Sequence, residues 1–154
     1  MILRSGRPDD IPALNELALA AKAFWGYTPQ QLESWRSDLQ VHPALTTTHP
    51  VCLVEQEGRL AGFVQLDTQA RPWEISGLWV HPDFMRQGIG RVLLEWSVRT
   101  ASTAACKELH IDSEPNAEGF YLACGARRIG ATAAPLDGQP DRLRPQLVLP
   151  LCRP

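Results

Sequence analysis

One stretch decides the fold of this chain: Glu74-Ile-Ser-Gly-Leu-Trp-Val-His-Pro-Asp-Phe-Met-Arg-Gln-Gly-Ile-Gly-Arg91. Its first half predicts a β-strand that ends at a His-Pro turn, and its second half predicts a glycine loop that opens a helix. Because Gly88 and Gly90 have no side chain, backbone N–H groups there can approach an anion closely. The start of the helix adds unpaired N–H groups and the positive end of the helix dipole. The stretch therefore predicts a phosphate-binding loop, with Arg86 and Arg91 adding positive charge on its two sides.

Two common phosphate motifs do not fit the spacing of these glycines. The dinucleotide-binding fingerprint needs a third glycine or alanine where Leu93 stands. A P-loop needs a Gly-Lys-Ser/Thr ending where the chain has Gly90, Arg91 and Val92. We therefore expect a phosphate ligand of another class.

The segment resembles the acetyl-CoA loop of the GNAT family of N-acetyltransferases, which has the pattern Gln/Arg-x-x-Gly-x-Gly/Ala after a strand and a Val-x-Pro turn. The matching positions run from Met85 to Gly90, and Met85 departs from the Gln or Arg that the family usually has first. The resemblance implies that the cofactor-binding loop consists of Arg86, Gln87, Gly88, Ile89, Gly90 and Arg91. It also implies that the preceding strand splays from its neighbour, so that Leu78, Trp79 and Val80 pair with the pantetheine arm.

Length and composition narrow the classes of protein to consider. The 154 residues suit a single domain, 1–154, with an appreciable core. A net charge of −2, from 15 basic and 17 acidic residues, gives no global basic face for nucleic acid. No apolar run has the length of a membrane helix and the amino terminus lacks a long apolar signal core, so we expect a cytoplasmic protein without a membrane partner. Four scattered cysteines and four scattered histidines suggest no metal site.

Periodicity and turn residues predict seven strands and four helices. The predicted strands are 1–5, 51–55, 60–66, 73–80, 108–111, 126–129 and 146–149. Helices are expected after Pro8, after the cap Thr28, after the glycine loop and after Asn116. This order matches the GNAT order over nearly the whole chain. The resemblance therefore implies an α+β (α/β) fold, with a mixed, twisted sheet of about six to seven strands flanked by about four helices.

The second matching motif is Asn116-Ala-Glu-Gly-Phe-Tyr-Leu-Ala-Cys-Gly125, which resembles the family's Asn followed by a Phe-Tyr pair on a helix. By this resemblance Tyr121 is the general acid that donates a proton to the departing thiolate. The alternative is that Tyr121 only packs on CoA or on the sheet. Asn116 is either a CoA contact or the cap of that helix.

Glu74 occupies the strand position where some family members carry a glutamate that acts as a base directly or through water. Alternation with period two places it on the same strand face as Val80. A glutamate at a strand end is also commonly solvated, and as a base near neutral pH it needs a raised pKa. Asp112, on the strand across the proposed splay, is the second candidate.

Lys22, Trp25 and Tyr27 lie where the family's first helical pair forms part of the acceptor pocket. The two aromatic residues are candidates for holding an alkyl chain or a cation by face contact, or else for packing the turn between the two helices. The sequence thus predicts an acetyl-CoA-dependent N-acetyltransferase acting on a small-molecule or peptide amine. The alternative is a non-catalytic acyl-CoA-binding module with the same fold. The last strand, ending at Leu149, offers an edge through which a homodimer can form.

Overall fold

Seven strands and four helices make up residues 1–151, the part of the chain that the computed structural model describes; Cys152 lies outside it. The strands are β1 (Ile2–Ser5), β2 (Val51–Gln56), β3 (Arg59–Asp67), β4 (Glu74–Val80), β5 (Glu108–Asp112), β6 (Arg127–Ala133) and β7 (Leu143–Pro150). The helices are α1 (Ile11–Ala23), α2 (Pro29–Trp35), α3 (Ile89–Thr103) and α4 (Glu118–Ala123). The predicted order is confirmed. In this described part no helix is both long and apolar enough to cross a membrane.

Local sequence signals explain several element boundaries. Thr28 and Gln31 form a capping box at the start of α2, with the Thr28 side chain accepting from the Gln31 N–H at 3.1 Å. Glu57 and Gly58 both have positive φ, 55° and 72°, as a two-residue hairpin turn between β2 and β3 requires. These features were readable from the sequence because each depends on residues a few positions apart.

The strands form one mixed sheet in the order β1-β2-β3-β4-β5-β7-β6. All neighbours are antiparallel except β4 and β5, which run parallel and pair at Glu74–His110 and Ile75–Ile111. Beyond Ile75, β4 continues to Val80 and pairs with no strand of residues 1–151 on this side. The prediction that β7 offers a free edge is wrong, because β7 lies between β5 and β6 and is paired on both sides.

A bulge in β4 changes which face its side chains occupy. Opposite Gln65 and Leu66 of β3 stand Gly77 and Ile75, so Ser76 is the extra residue. The predicted placement of Glu74 on the same face as Val80 is therefore wrong. Glu74 pairs with Asp67 on the α1 face, whereas Val80 packs with the core on the α3 face.

Two apolar cores cover the two faces of the sheet. On one face α1 packs with Leu53 and Phe63, and on the other face α3 and α4 pack with Val64 and Leu66. Alternation along β2 and β3 produces this division, since successive side chains point to opposite faces. The second core fixes α3 directly behind β3 and β4, and so positions the loop that precedes α3.

The closest approach between α3 and the sheet depends on Gly62. A Cβ there would lie 3.0 Å from a side-chain carbon of Ile89 and 3.0 Å from the backbone oxygen of Trp79. We expect Gly62→Ala to lower the free energy of unfolding by about 1–3 kcal/mol, as overpacking does. Gly130→Ala on the edge strand β6 is the control, because its Cβ position has no atom of the described chain within 4 Å apart from Gly130 itself and its two neighbours in sequence. Urea unfolding of both variants measures the difference. Equal stability of the two would contradict this account of the packing.

Candidate active site

The candidate site is a cleft of about 980 Å³ that opens where β4 and β5 part. Ser76 to Val80 line one wall, and Ile111, Asp112 and Glu114 line the opposite wall. The glycine loop closes one end of the cleft, and side chains of α1 and α2 close the other. A single opening therefore joins the predicted phosphate loop to the predicted acceptor region.

Unpaired backbone N–H groups line the loop end of this cleft. From Arg86 through Arg91 no N–H donates a hydrogen bond to any residue of the described chain, and the first such bond of α3 is Val92 N–H to the Gly88 oxygen at 3.1 Å. Gly88 is the N-cap of α3, with φ of 83°, a conformation that suits glycine. This run of free donors at a helix start suits an oxyanion such as a pyrophosphate.

The open edge of β4 supplies further donors along the cleft. The His81 N–H points to β3, where it bonds the Ala61 oxygen at 2.8 Å. Since successive N–H groups point to opposite edges of a strand, those of Val80 and Leu78 point into the cleft. The backbone N–H of Trp79 points to Phe63 of β3 and away from the cleft. Trp79 still lines the cleft, through atoms other than this N–H.

Two loop residues have contacts within the protein that limit their freedom. The Gln87 side-chain oxygen accepts from the Gln56 amide at 2.6 Å. A Cβ at Gly90 would lie 3.3 Å from the Phe120 ring. Absence of a side chain at Gly90 therefore lets α4 pack against the start of α3, which brings Tyr121 of α4 to the same cleft.

Tyr121 is 5% exposed and lines the cleft. Burial, with a smaller contribution from Cys124, raises the pKa of its phenol above the ordinary value. Within the described residues its hydroxyl makes no side-chain hydrogen bond. The phenol is thus held neutral at physiological pH, with its donor available to a group in the cleft.

Glu74 lines the cleft at the point where β4 and β5 separate. Burial raises the pKa of its carboxyl group, opposed by His110, whose Nδ1 lies 3.8 Å from Glu74 Oε2; nearby Asp112 and Asp67 raise it further. Asp112 is differently placed, because Arg144 holds both of its oxygens, at 3.0 and 3.1 Å, and Gln146 donates a third bond. Because these three hydrogen bonds occupy the oxygens of Asp112, the geometry favours Glu74 as the carboxylate that is free to accept a proton.

A buried polar cluster lies at the other end of the cleft. Tyr27 is its centre: the hydroxyl donates to Glu114 and accepts from Arg142 at 3.0 Å and from the Asn116 amide at 3.3 Å. Its hydrogen-bonding capacity is then filled. Lys22 completes the cluster, with Nζ 3.7 Å from a Glu114 oxygen.

The structure separates the two predicted substrate-binding aromatics. Trp25 is 41% exposed and lines the cleft. Tyr27 packs edge-on against Trp35 with centroids 4.8 Å apart, and its ring is already faced by Lys22 and Arg142. The ring of Tyr27 is therefore not free to face a substrate cation.

Asn116 does not cap α4, so that alternative is wrong. The N-cap of α4 is Ala117, and Asn116 lies in the preceding short 3-10 turn. Its side-chain amide donates to Glu114 at 3.1 Å and to Tyr27. Asn116 thus ties the buried cluster to the segment leading into α4.

Sequence reasoning missed Glu114, Arg142 and Trp35 as members of the site. They come from three distant parts of the chain, and no local pattern connects them. Lys22 is the exception, because the sequence already places it in the acceptor region. It follows Ala18 by four residues on the apolar stripe of α1, which places a cation on a buried helix face. As for metals, residues 1–151 contain no group of three or more potential ligands.

The chain has two tyrosines, and loss of their hydroxyls is expected to have different effects on stability. Tyr27→Phe removes the shared partner of buried Glu114 and Arg142, so we expect the free energy of unfolding to fall by about 1–3 kcal/mol. Tyr121→Phe removes a hydroxyl without a side-chain partner in the described chain, so we expect little change. Thermal and urea unfolding of the two variants test this, and a Tyr27→Phe protein as stable as the parent would contradict the proposed network.

Comparison with known proteins agrees with this architecture. The model of the acetyltransferase (GNAT) family matches residues 13–126. No curated protein sequence matches the chain significantly. Similar solved structures include a GCN5-related N-acetyltransferase of Rhodopseudomonas palustris, at 21% identity over 97% of this chain and 95% of that one, with a TM-score of 0.79.

Two further structures resemble the whole chain. The paia N-acetyltransferase of Thermoplasma acidophilum, solved in complex with coenzyme A, has 17% identity over 97% of this chain and 99% of its own, with a TM-score of 0.75. The ribosomal-protein-S18-alanine N-acetyltransferase of Escherichia coli has 19% identity, coverage of 99% and 95%, and a TM-score of 0.73. These likenesses establish the fold, and the family match covers most of the chain, which belongs to the acetyltransferase (GNAT) family.

Proposed function

We propose that this protein transfers an acetyl group from acetyl-CoA directly to a primary amine of a small molecule or peptide. One observation carries the proposal: the free N–H groups of Arg86 to Arg91 open into the same cleft as the unpaired edge of β4. A pyrophosphate and an extended amide-bearing arm need those two features side by side. The coenzyme A bound to the Thermoplasma relative supports the same ligand class.

The residues proposed for the donor divide by chemistry. Backbone N–H groups of Gln87, Gly88, Ile89 and Gly90 bind the pyrophosphate, and Arg86 and Arg91 add charge that water and salt partly screen. The N–H groups of Leu78 and Val80 bind the pantetheine arm and polarise the thioester carbonyl. Trp79 contributes to the cleft wall. Asn116, whose amide nitrogen is bonded to Glu114 and Tyr27, contacts the donor through its side-chain oxygen.

Glu74 is proposed as the general base. The amine nitrogen forms a bond to the carbonyl carbon and loses a proton to the Glu74 carboxylate, directly or through water. A raised pKa makes this carboxylate a better proton acceptor than an ordinary surface glutamate. The α1 face on which Glu74 lies is also the side from which α1 and α2 close the cleft, so the amine is expected to arrive from there.

Tyr121 is proposed as the donor to the leaving group. The carbon–sulfur bond breaks and the sulfur leaves as a thiolate, which a phenolic O–H can stabilise by a charge-assisted hydrogen bond. A phenol with a raised pKa is less acidic than a thiol, whose ordinary pKa is about 8.5. Tyr121 therefore stabilises the departing thiolate as a hydrogen-bond donor and keeps its proton at the end of the step.

The first test is isothermal titration with acetyl-CoA and, in parallel, with NAD, followed by measurement of thiol release with a panel of amines. We expect acetyl-CoA to bind, NAD not to bind, and at least one amine to release thiol. Binding without release from any amine would support the non-catalytic acyl-CoA-binding alternative. Absence of acetyl-CoA binding would overturn the proposal.

Glu74→Gln tests the base through the pH profile. Because the carboxyl must be ionised, kcat/KM of the parent should fall as pH drops through the raised pKa of Glu74. We expect Glu74→Gln to lose about 10²–10⁴ in kcat together with this acidic limb. Glu108→Gln, on β5 away from the cleft, should keep both. A Glu74→Gln enzyme with an unaltered profile would assign the base to Asp112 or to water.

The same variant has a predicted effect on stability. The pKa of Glu74 is higher in the folded than in the unfolded protein. Its carboxyl group therefore contributes to stability below the unfolded pKa, where it is protonated, and this contribution is lost as pH rises through the folded pKa. Glu74→Gln should therefore be more stable than the parent at neutral pH, and the difference should shrink below about pH 4. Melting temperatures across that range measure it.

Tyr121→Phe tests the donor to the thiolate. We expect kcat to fall by about 10²–10⁴ while affinity for acetyl-CoA and the melting temperature stay near those of the parent. Titration and thermal unfolding of the same preparation provide the controls. An unchanged kcat in Tyr121→Phe would show that Tyr121 contributes to packing and not to proton donation.

A further inference from the structure

Two buried cations share one carboxylate in the cluster at the acceptor end of the cleft. The side chains of Lys22, Arg142 and Glu114 are 10%, 7% and 7% exposed. Glu114 Oε1 lies 3.7 Å from Lys22 Nζ and 4.0 Å from an Arg142 guanidinium nitrogen. The three formal charges sum to +1 in a site that excludes most water. An uncompensated buried charge is costly, and proteins ordinarily avoid it.

Lys22 is the cation that the protein leaves incompletely satisfied. Its ammonium has three donors, yet it makes no hydrogen bond within the described chain, and its contact with Glu114 is a longer ion pair. Burial lowers the pKa of Lys22, Glu114 opposes this, and Arg142 lowers it further. Arg142, in contrast, donates to the Ala134 oxygen at 3.0 Å and to Tyr27.

The surroundings hold this ammonium in place and aim it at the cleft. It lies 4.5 Å from the centre of the Trp35 ring and 5.1 Å from that of Tyr27. Both Lys22 and Arg142 line the cleft that also contains Glu74 and Tyr121. Two aromatic faces that would otherwise accept a substrate cation are thus occupied by the protein's own cations.

Other charges of the cleft do not neutralise Lys22. Asp112 forms an ion pair with Arg144, so its negative charge is already compensated by that arginine. Asp38 is exposed and forms no ion pair with Lys22 within 4.0 Å. Glu74 lies on β4, where its partner within 4.0 Å is the His110 ring.

We propose that Lys22, supported by Arg142, binds a carboxylate of the acceptor, so that the substrate class is an amine carrying a free carboxylate. The inference rests on the proposed function, since it assigns the far end of a molecule whose amine is placed at Glu74. A carboxylate there completes the hydrogen bonds of the ammonium and neutralises the cluster. A free amino acid and the free carboxyl terminus of a short peptide present the same chemistry.

Matched acceptor molecules and matched lysine variants test whether the acceptor carries a free carboxylate. The acceptors are α-amino acids, β-alanine, γ-aminobutyrate and dipeptides, each compared with its carboxamide and with the amine that lacks the carboxyl group. The variants are Lys22→Met and, as control, Lys107→Met, which replaces the chain's other lysine at an exposed position. Thermal unfolding verifies that both variants fold; Arg142 remains to pair with Glu114 in Lys22→Met.

Binding to the protein saturated with CoA is measured by titration, separately from thiol release with acetyl-CoA. We expect at least one carboxylate to bind the parent about tenfold or more tightly than its carboxamide. Lys22→Met should abolish that preference, and Lys107→Met should keep it. The comparison of dipeptides with amino acids then identifies which of the two presents the carboxylate.

Each outcome separates this inference from the proposed function. Equal binding of carboxylates and carboxamides, binding of neither, or a preference that survives Lys22→Met would overturn the carboxylate site. Thiol release with uncharged amines alone would do the same while supporting the transferase. Selective, Lys22-dependent carboxylate binding without thiol release from any acceptor would support the site and overturn the transfer reaction.

Discussion

The site depends on the point where the parallel pairing of β4 and β5 ends. Strands in a sheet satisfy each other's backbone groups, and β4 loses its partner after Ile75 while β3 continues to hold its other edge to Val80. The result is a rigid strand with one row of free donors and acceptors facing a cleft. A free edge inside a sheet is a feature that proteins normally cover. Here the covering element is expected to be a ligand, because the cleft beside the edge remains open.

The second constraint is the position of α3. Its apolar side chains Ile89 and Leu93 fix it behind β3, where Gly62 allows close contact. Once the helix is fixed, its first N–H groups point to a predetermined place at the end of the β4 edge. The glycine loop therefore acquires its geometry from the packing of α3 against the sheet, and its rigidity comes from the core.

Local chemistry explains how much of this the sequence revealed. Element order, the cap at Thr28 and the glycine loop all follow from residues close in sequence, and all were predicted. The bulge at Ser76 was missed because it arises from pairing with β3, and it moved Glu74 to the other face of the sheet. Strand β7 was wrongly placed at an edge because strand order depends on long-range contacts. The cluster around Tyr27 joins residues 22, 27, 114, 116 and 142, and no period relates them.

The charged groups of the cleft are of two kinds, those whose charge is compensated by a partner and those whose charge is compensated only in part. The second kind indicates where a ligand is expected to bind. Asp112 and Arg144 compensate each other's charge, and Arg144 donates one hydrogen bond to each oxygen of Asp112. Glu74 and Lys22 are the opposite: burial disfavours the charged form of each, and the ion-pair contact of each, with His110 at 3.8 Å and with Glu114 at 3.7 Å, offsets this only in part. A fold selected for stability alone would replace both with apolar residues. Retaining an incompletely satisfied carboxylate at the strand separation and an incompletely satisfied ammonium at the far end of the same cleft is consistent with a ligand that carries the complementary groups, an amine at one end and an anion at the other.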